Sequence, residues 1–166
     1  MPDWQWEKRE ERRRESESEE RRDDDTGGGV DPHLLNAAEA NDHAAIDMVD
    51  IWGHGFRAGI GGSLAPGLWM LGSAMRLLER ARPGVLFKDL AACNAYCDGL
   101  ASAAKVRVPV TLVLGERDIM TPARSGMQLA AALLDARVTV LKNAGHMLMS
   151  ERPDEVLNAV RDFPKT

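Results

Sequence analysis

Two ionisable side chains in the last third of a 166-residue sequence, Asp118 and His146, follow short apolar runs. Each stands in a polar, glycine-bearing loop: Gly115-Glu116-Arg117-Asp118 comes after Val108 to Leu114, and Asn143-Ala144-Gly145-His146 comes after Arg137 to Leu141. A carboxylate hydrogen-bonded to one imidazole nitrogen fixes the tautomer and stabilises the imidazolium. The other nitrogen is then free to take a proton from a nucleophile. The pair can therefore serve nucleophilic catalysis if the two loops converge. The competing reading is that Asp118 caps the following helix and His146 is an ordinary surface residue.

Convergence depends on the elements that carry the loops. The run Val-Pro-Val-Thr-Leu-Val-Leu is too short for a helix and apolar on both faces, which predicts a buried parallel strand. Thr121-Pro122 supplies an N-cap and a first-turn proline, and Met127, Ala130, Ala131 and Leu134 form the stripe that the next helix should bury. Arg137 to Leu141 is a second strand. A last helix starting near Pro153 should bury Val156, Ala159, Val160 and Phe163. The order is strand, helix, strand, helix, and in an open parallel sheet the reactive groups sit on the loops at the carboxyl ends of the strands.

With these elements in place, VPVTLVLGERDIMTP resembles the penultimate strand and acid loop of the α/β-hydrolase family. ARVTVLKNAGHMLMSERPDEV is similar to that family's last strand and histidine loop. The resemblance implies an α/β class: a partial α/β-hydrolase fold in which a helical cap precedes a C-terminal β-α-β-α unit with parallel strands. It makes Asp118 the acid and His146 the general base of a serine, acid, histidine triad. The implied activity is hydrolysis of an ester, amide or related bond in a small apolar substrate. The family's nucleophile lies in a Gly-x-Ser-x-Gly turn, and no such pentapeptide occurs here. Ser63 and Ser73 follow glycines but lack both the preceding apolar strand and the second glycine. His54, between Gly53 and Gly55, is superficially similar to a glycine-rich oxyanion loop. It follows a helix instead of a strand and reads as a flexible loop histidine. The chain alone is therefore expected to be inactive, and the alternative is a non-catalytic remnant or a binding protein using the cap surface.

The cap-like region is residues 31–104. Asp31-Pro32 opens a helix expected to run to about Asp50. Residues 52–67 hold six glycines among sixteen residues and read as a flexible loop. Pro66 is expected to start a helix bearing Leu71, Ala74, Met75 and Leu78, which Pro83-Gly84 stops. A third helix carries the stripe Leu86, Leu90, Cys93, Cys97 and Leu100. Over an active site, Trp52, Trp69, Met70 and Met75 are candidates to line a substrate pocket, against the plainer reading of helix core.

Residues 105–166 make up the C-terminal hydrolase-like segment, and residues 1–30 a charged tail. Of the net charge of −5, residues 1–27 contribute −4 through 7 Lys/Arg and 11 Asp/Glu. Almost without aliphatic side chains, the tail is expected to be disordered. The near-neutral remainder offers no basic face, so no nucleic-acid partner is expected. No apolar run reaches the roughly 18 residues of a membrane span, so no membrane partner is expected either, and a cytoplasmic location follows. The 2 cysteines make neither a disulfide framework nor a metal site, and are expected to be buried as small apolar residues; no cofactor is expected. Beyond a small-molecule substrate, the expected partner is a second copy or a complementing chain, because two strands are marginal alone and Val108 to Leu114 has an edge to offer.

Overall fold

Asp31 caps the first helix, α1 (Pro32–Glu39), by accepting the N–H groups of His33 at 2.7 Å and Leu34 at 3.2 Å, with Pro32 in the first turn. The chain is seen here in a computed structural model that describes residues 29–63 and 66–163. Of the charged tail expected to be disordered, residues 1–30, residues 1–28 lie outside the described residues, while Val30 packs on the core and its N–H donates to Asn94 Oδ1 at 3.1 Å. The helix expected to continue to Asp50 instead stops at Glu39. Asn41 takes the left-handed conformation (φ 54°), and Asp42 caps a new helix, α2 (His43–Gly53), through the Ala44 N–H at 3.0 Å. Asn and Asp offer the backbone local hydrogen bonds that compete with helix continuation, which overrides the alanine-rich composition around them.

The break folds α2 back on α1. Leu34, Ala38 and Ala45 are buried between them, with Trp52 from α2 and Leu86, Phe87 and Leu90 from α5 (Val85–Ala95) packed around. The glycine-rich stretch is not all loop. It contains the last turn of α2 and a short helix, α3 (Phe56–Gly59), while Gly53, His54 and Gly55 are buried. The next helix, α4 (Met70–Leu78), begins four residues later than Pro66 suggested.

The stripe drawn through Leu100 is interrupted after Ala95, where Tyr96 turns extended before α6 (Gly99–Ala103). That places Cys97 outside the helix, and both cysteines are exposed, contrary to the expected burial.

The C-terminal unit follows the expected order. Strand β1 (Val110–Gly115) pairs in parallel with β2 (Ala136–Leu141), from Val110 opposite Ala136 to Gly115 opposite Leu141. The crossover helix α7 (Ala123–Ala132) packs on both strands. After the one-turn α8 (Leu148–Glu151), α9 (Pro153–Arg161) packs on β1.

Burial is shallower than the apolar patterns predicted. β1 is only partly covered over most of its length, Met127, Ala131, Leu134, Val160 and Phe163 are exposed, and Val156 and Ala159 are partly buried. A two-stranded sheet is too narrow to cover its helices, so their stripes extend past its edges. Among the described residues, no helix is long and apolar enough to cross a membrane, and no three His, Cys, Asp or Glu side chains are grouped to hold a metal ion.

Candidate active site

The carboxyl ends of β1 and β2 release two loops that are stitched together by their own main chains. Glu116 N–H donates to Leu141 O at 3.0 Å, and Arg117 N–H to Ala144 O at 2.9 Å. Gly115 sits where a Cβ would run into the carbonyl oxygens of Ala144 and Gly145, so the absence of a side chain lets the loops touch. Asn143 makes the turn out of β2 with φ 57°, and its N–H donates to Glu116 Oε2 at 2.8 Å.

These constraints bring Asp118 and His146 together, with Asp118 Oδ2 lying 2.9 Å from His146 Nδ1. The Asp118 side chain is only 7% exposed, whereas that of His146 is 40% exposed. Asp118 Oδ1 accepts the N–H groups of Met120 at 2.9 Å and Thr121 at 2.8 Å, which fixes the carboxylate against rotation. The Thr121 hydroxyl donates to Oδ2 at 2.7 Å and lies 3.1 Å from His146 Nδ1. An ionised carboxylate is an acceptor only, so the proton of the 2.9 Å contact belongs on Nδ1 and the lone pair of the imidazole on Nε2. That tautomer is the one able to accept a proton from a nucleophile.

The N-cap expected of Thr121 does not form: α7 makes no side-chain cap hydrogen bond, and the hydroxyl turns to Asp118 instead. Nothing in the spacing separates the two roles, because a Thr three residues after an Asp can serve either.

The histidine loop is also fastened to the cap-like region. Met147 N–H donates to Gly53 O at 2.8 Å. Glu151, buried at 8% exposure, accepts the Gly55 N–H on Oε2 at 3.0 Å. The Gly145 N–H reaches both of its oxygens, at 3.0 and 3.1 Å. Sequence reasoning gave Glu151 no role, since its partners are main-chain groups far away in the chain.

His54, expected to be a flexible loop histidine, is buried, and its Nδ1 bonds the Asp50 main-chain oxygen at 2.8 Å. A helix C-terminal carbonyl and the close packing of Gly55 on Gly145 hold it there, which glycine content alone could not reveal. The Asp50 carboxyl is buried with neither oxygen hydrogen-bonded, His54 Nδ1 being 3.5 Å from Oδ1. Burial pushes this carboxyl above the usual carboxylate range, His54 draws it down and Asp47 pushes it up.

The four pocket candidates lie in different surroundings. Trp52 is packed in the α1–α2–α5 cluster. Trp69 is exposed at the start of α4 with its ring against Gly72, Met70 is buried, and Met75 is partly buried. Ser73 Oγ donates within its own helix to Trp69 O at 3.3 Å.

Residues 26–159 match the profile described as the alpha/beta hydrolase family. Over 58 residues the chain is 38% identical to an uncharacterized carboxylesterase of Bacillus subtilis (strain 168), covering 34% of this chain and 19% of that protein. Its fold is similar to that of a thermophilic esterase, with 24% identity and a TM-score of 0.65 over 81% of this chain and 50% of the other. It is also similar to an enol-lactonase from Burkholderia xenovorans LB400, with 22% identity and a TM-score of 0.67 over 78% and 48%. The chain thus spans about half the length of these structures and a fifth of the curated relative.

Proposed function

The chain belongs to the alpha/beta hydrolase family, and from that premise we propose that it supplies the acid and the base for hydrolysis of an ester or related bond in a small apolar substrate. The observation that carries this reading is the 2.9 Å contact between Asp118 Oδ2 and His146 Nδ1 at the carboxyl ends of two parallel strands. His146 Nε2 takes the proton of a serine hydroxyl as its oxygen attacks the substrate carbonyl, and Asp118 stabilises the imidazolium. The proton passes to the leaving alcohol as the acyl–serine ester forms, and a water activated by the same imidazole hydrolyses that ester.

The 166 residues contain no Gly-x-Ser-x-Gly turn, and the proposal places the serine and its oxyanion donors outside them. By themselves these residues are proposed to be inactive. The carboxylesterase, esterase and lactonase names of the similar proteins support carboxylic-ester chemistry, and the cap-like helices with Trp69, Met70 and Met75 are proposed to face the acyl side of the substrate. A cytoplasmic location and the lack of any nucleic-acid or membrane partner belong to the same proposal.

A fluorogenic short-chain ester tests it. The chain alone should give no turnover. Mixed with a segment bearing the early strands and nucleophile elbow of a related esterase, it should gain activity that His146→Ala or Asp118→Asn lowers by about 10³-fold or more. Complemented turnover that is indifferent to His146→Ala would sink the proposal. The missing pentapeptide favours a second reading, a non-catalytic chain that binds a ligand through the cap surface. In that case substitutions at Trp69 and Met75 abolish binding while Asp118→Asn is silent.

A further inference from the structure

Outside the Asp118–His146 pair, the most heavily engaged buried side chain in the C-terminal unit is Glu151. It ends the one-turn helix that follows the histidine loop, yet its carboxylate turns back and holds main-chain groups of two separate segments. One is Gly145, the residue before His146. The other is Gly55, between α2 and α3 in the cap-like region. The steric fit is equally tight: a Cβ on Gly55 would lie 2.6 Å from Glu151 Oε2 and 3.1 Å from Gly145 N, and one on Gly145 would run into Gly55 N. Two glycines and a carboxylate thus form one locked contact.

A carboxylate buried this deeply is costly unless donors converge on it, and here two main-chain N–H groups do so. No metal or cationic side chain is needed to account for its burial. With Glu151 removed, Gly145 N–H loses its acceptor one residue before the imidazole, and Gly55 N–H loses the bond that ties α2 to the loop.

We propose that Glu151 is a positioning residue for His146, holding the histidine loop against the cap segment so that Nδ1 stays on Asp118. This deepens the hydrolase reading and rests on it, because a locked imidazole matters only if His146 is the base. Glu151 touches neither the reacting atoms nor the imidazole. It acts through the peptide of Gly145, and Met147 N–H on Gly53 O is a second tie at the same seam.

The test reads the imidazole directly and needs no substrate. In the full chain, proton NMR should show a far-downfield resonance from the His146 Nδ1 proton, absent from His146→Gln and Asp118→Asn. In Glu151→Gln, which keeps the volume and one acceptor oxygen, that resonance should broaden. In Glu151→Ala it should disappear, while circular dichroism stays at the wild-type value. Amide exchange at Gly55 and Gly145 should accelerate by at least about tenfold in Glu151→Ala, the loss expected for a hydrogen bond to a charged acceptor.

A role confined to stability would lower Tm in both variants and leave the resonance in place, which overturns the proposal alone. A wild-type chain with no such resonance overturns the Asp118–His146 pairing and this proposal with it. If Glu151→Ala fails to fold, the Glu151→Gln spectrum decides: an unchanged line rejects the proposal and a broadened one supports it.

Discussion

At the scale of single residues, Asp50 shows what burial without partners does. Its carboxyl is held above the ordinary carboxylate range, chiefly by desolvation, so the folded chain binds the proton more tightly than the unfolded chain does. Where the folded state binds more protons than the unfolded state, stability falls as pH rises. The loss begins near the ordinary Asp value and is complete above the raised one. Asp50→Asn removes the titration, so the wild type should lose ground to the variant between about pH 4 and about pH 7. Urea denaturation of both proteins at the two pH values checks the sign, and a stability difference that does not change with pH would overturn it. His43 is raised for a different reason, being an exposed imidazole hydrogen-bonded to Glu79 and Asp47. Its contribution is fully present below 6.5 and fades as pH passes the raised value.

At the scale of elements, the contact of the β1 end with the histidine loop is fixed by Gly115. Gly115→Ala puts a methyl group into two main-chain oxygens that cannot step aside, and should cost about 2 kcal/mol or more in chemical denaturation. It should also part Asp118 from His146. Which elements were legible in the sequence follows from how local their causes are. The strands read correctly because an apolar run of strand length ending in a glycine loop has few other homes. That the two loops share one sheet edge follows from strand order, while the pairing of Asp118 with His146 is what the family resemblance implies. The break at Asn41-Asp42 is hidden in the sequence because the surrounding alanines favour helix and only the local hydrogen bonds of Asx residues oppose them. Cys97 is exposed because the extended backbone at Tyr96 takes it off the helical stripe, whereas Cys93 lies within α5 and nothing in the helix break explains its exposure. His54 and Glu151 were beyond reach because their partners are main-chain atoms brought close by the fold, which no residue spacing encodes.

At the scale of the whole molecule, the two-stranded sheet leaves work undone. β1 bonds β2 on one side and pairs with no other strand among the described residues, while Val108, Met127, Leu134, Val140 and Val160 remain exposed around it. Apolar side chains beside an unpaired strand edge invite association. We expect the chain to self-associate, or to bind a segment that adds a parallel strand to β1. Sedimentation across a concentration series should show a mass that rises with concentration, and Leu112→Lys should not change it if the free edge is irrelevant. A monomer at every concentration would contradict this expectation.

The bond from Gly55 to Glu151 spans 96 positions along the chain. Helix turns, and the β1–α7–β2 crossover that spans the residues between Val110 and Leu141, close short loops. Joining positions 55 and 151 must gather the ends of a loop several times longer than any of those, and the chain recovers that entropy only once both ends are already shaped. In kinetic terms the seam between the two regions is expected to close late in folding. The helices and the strand pair can therefore form before the histidine loop is fastened to the cap-like region.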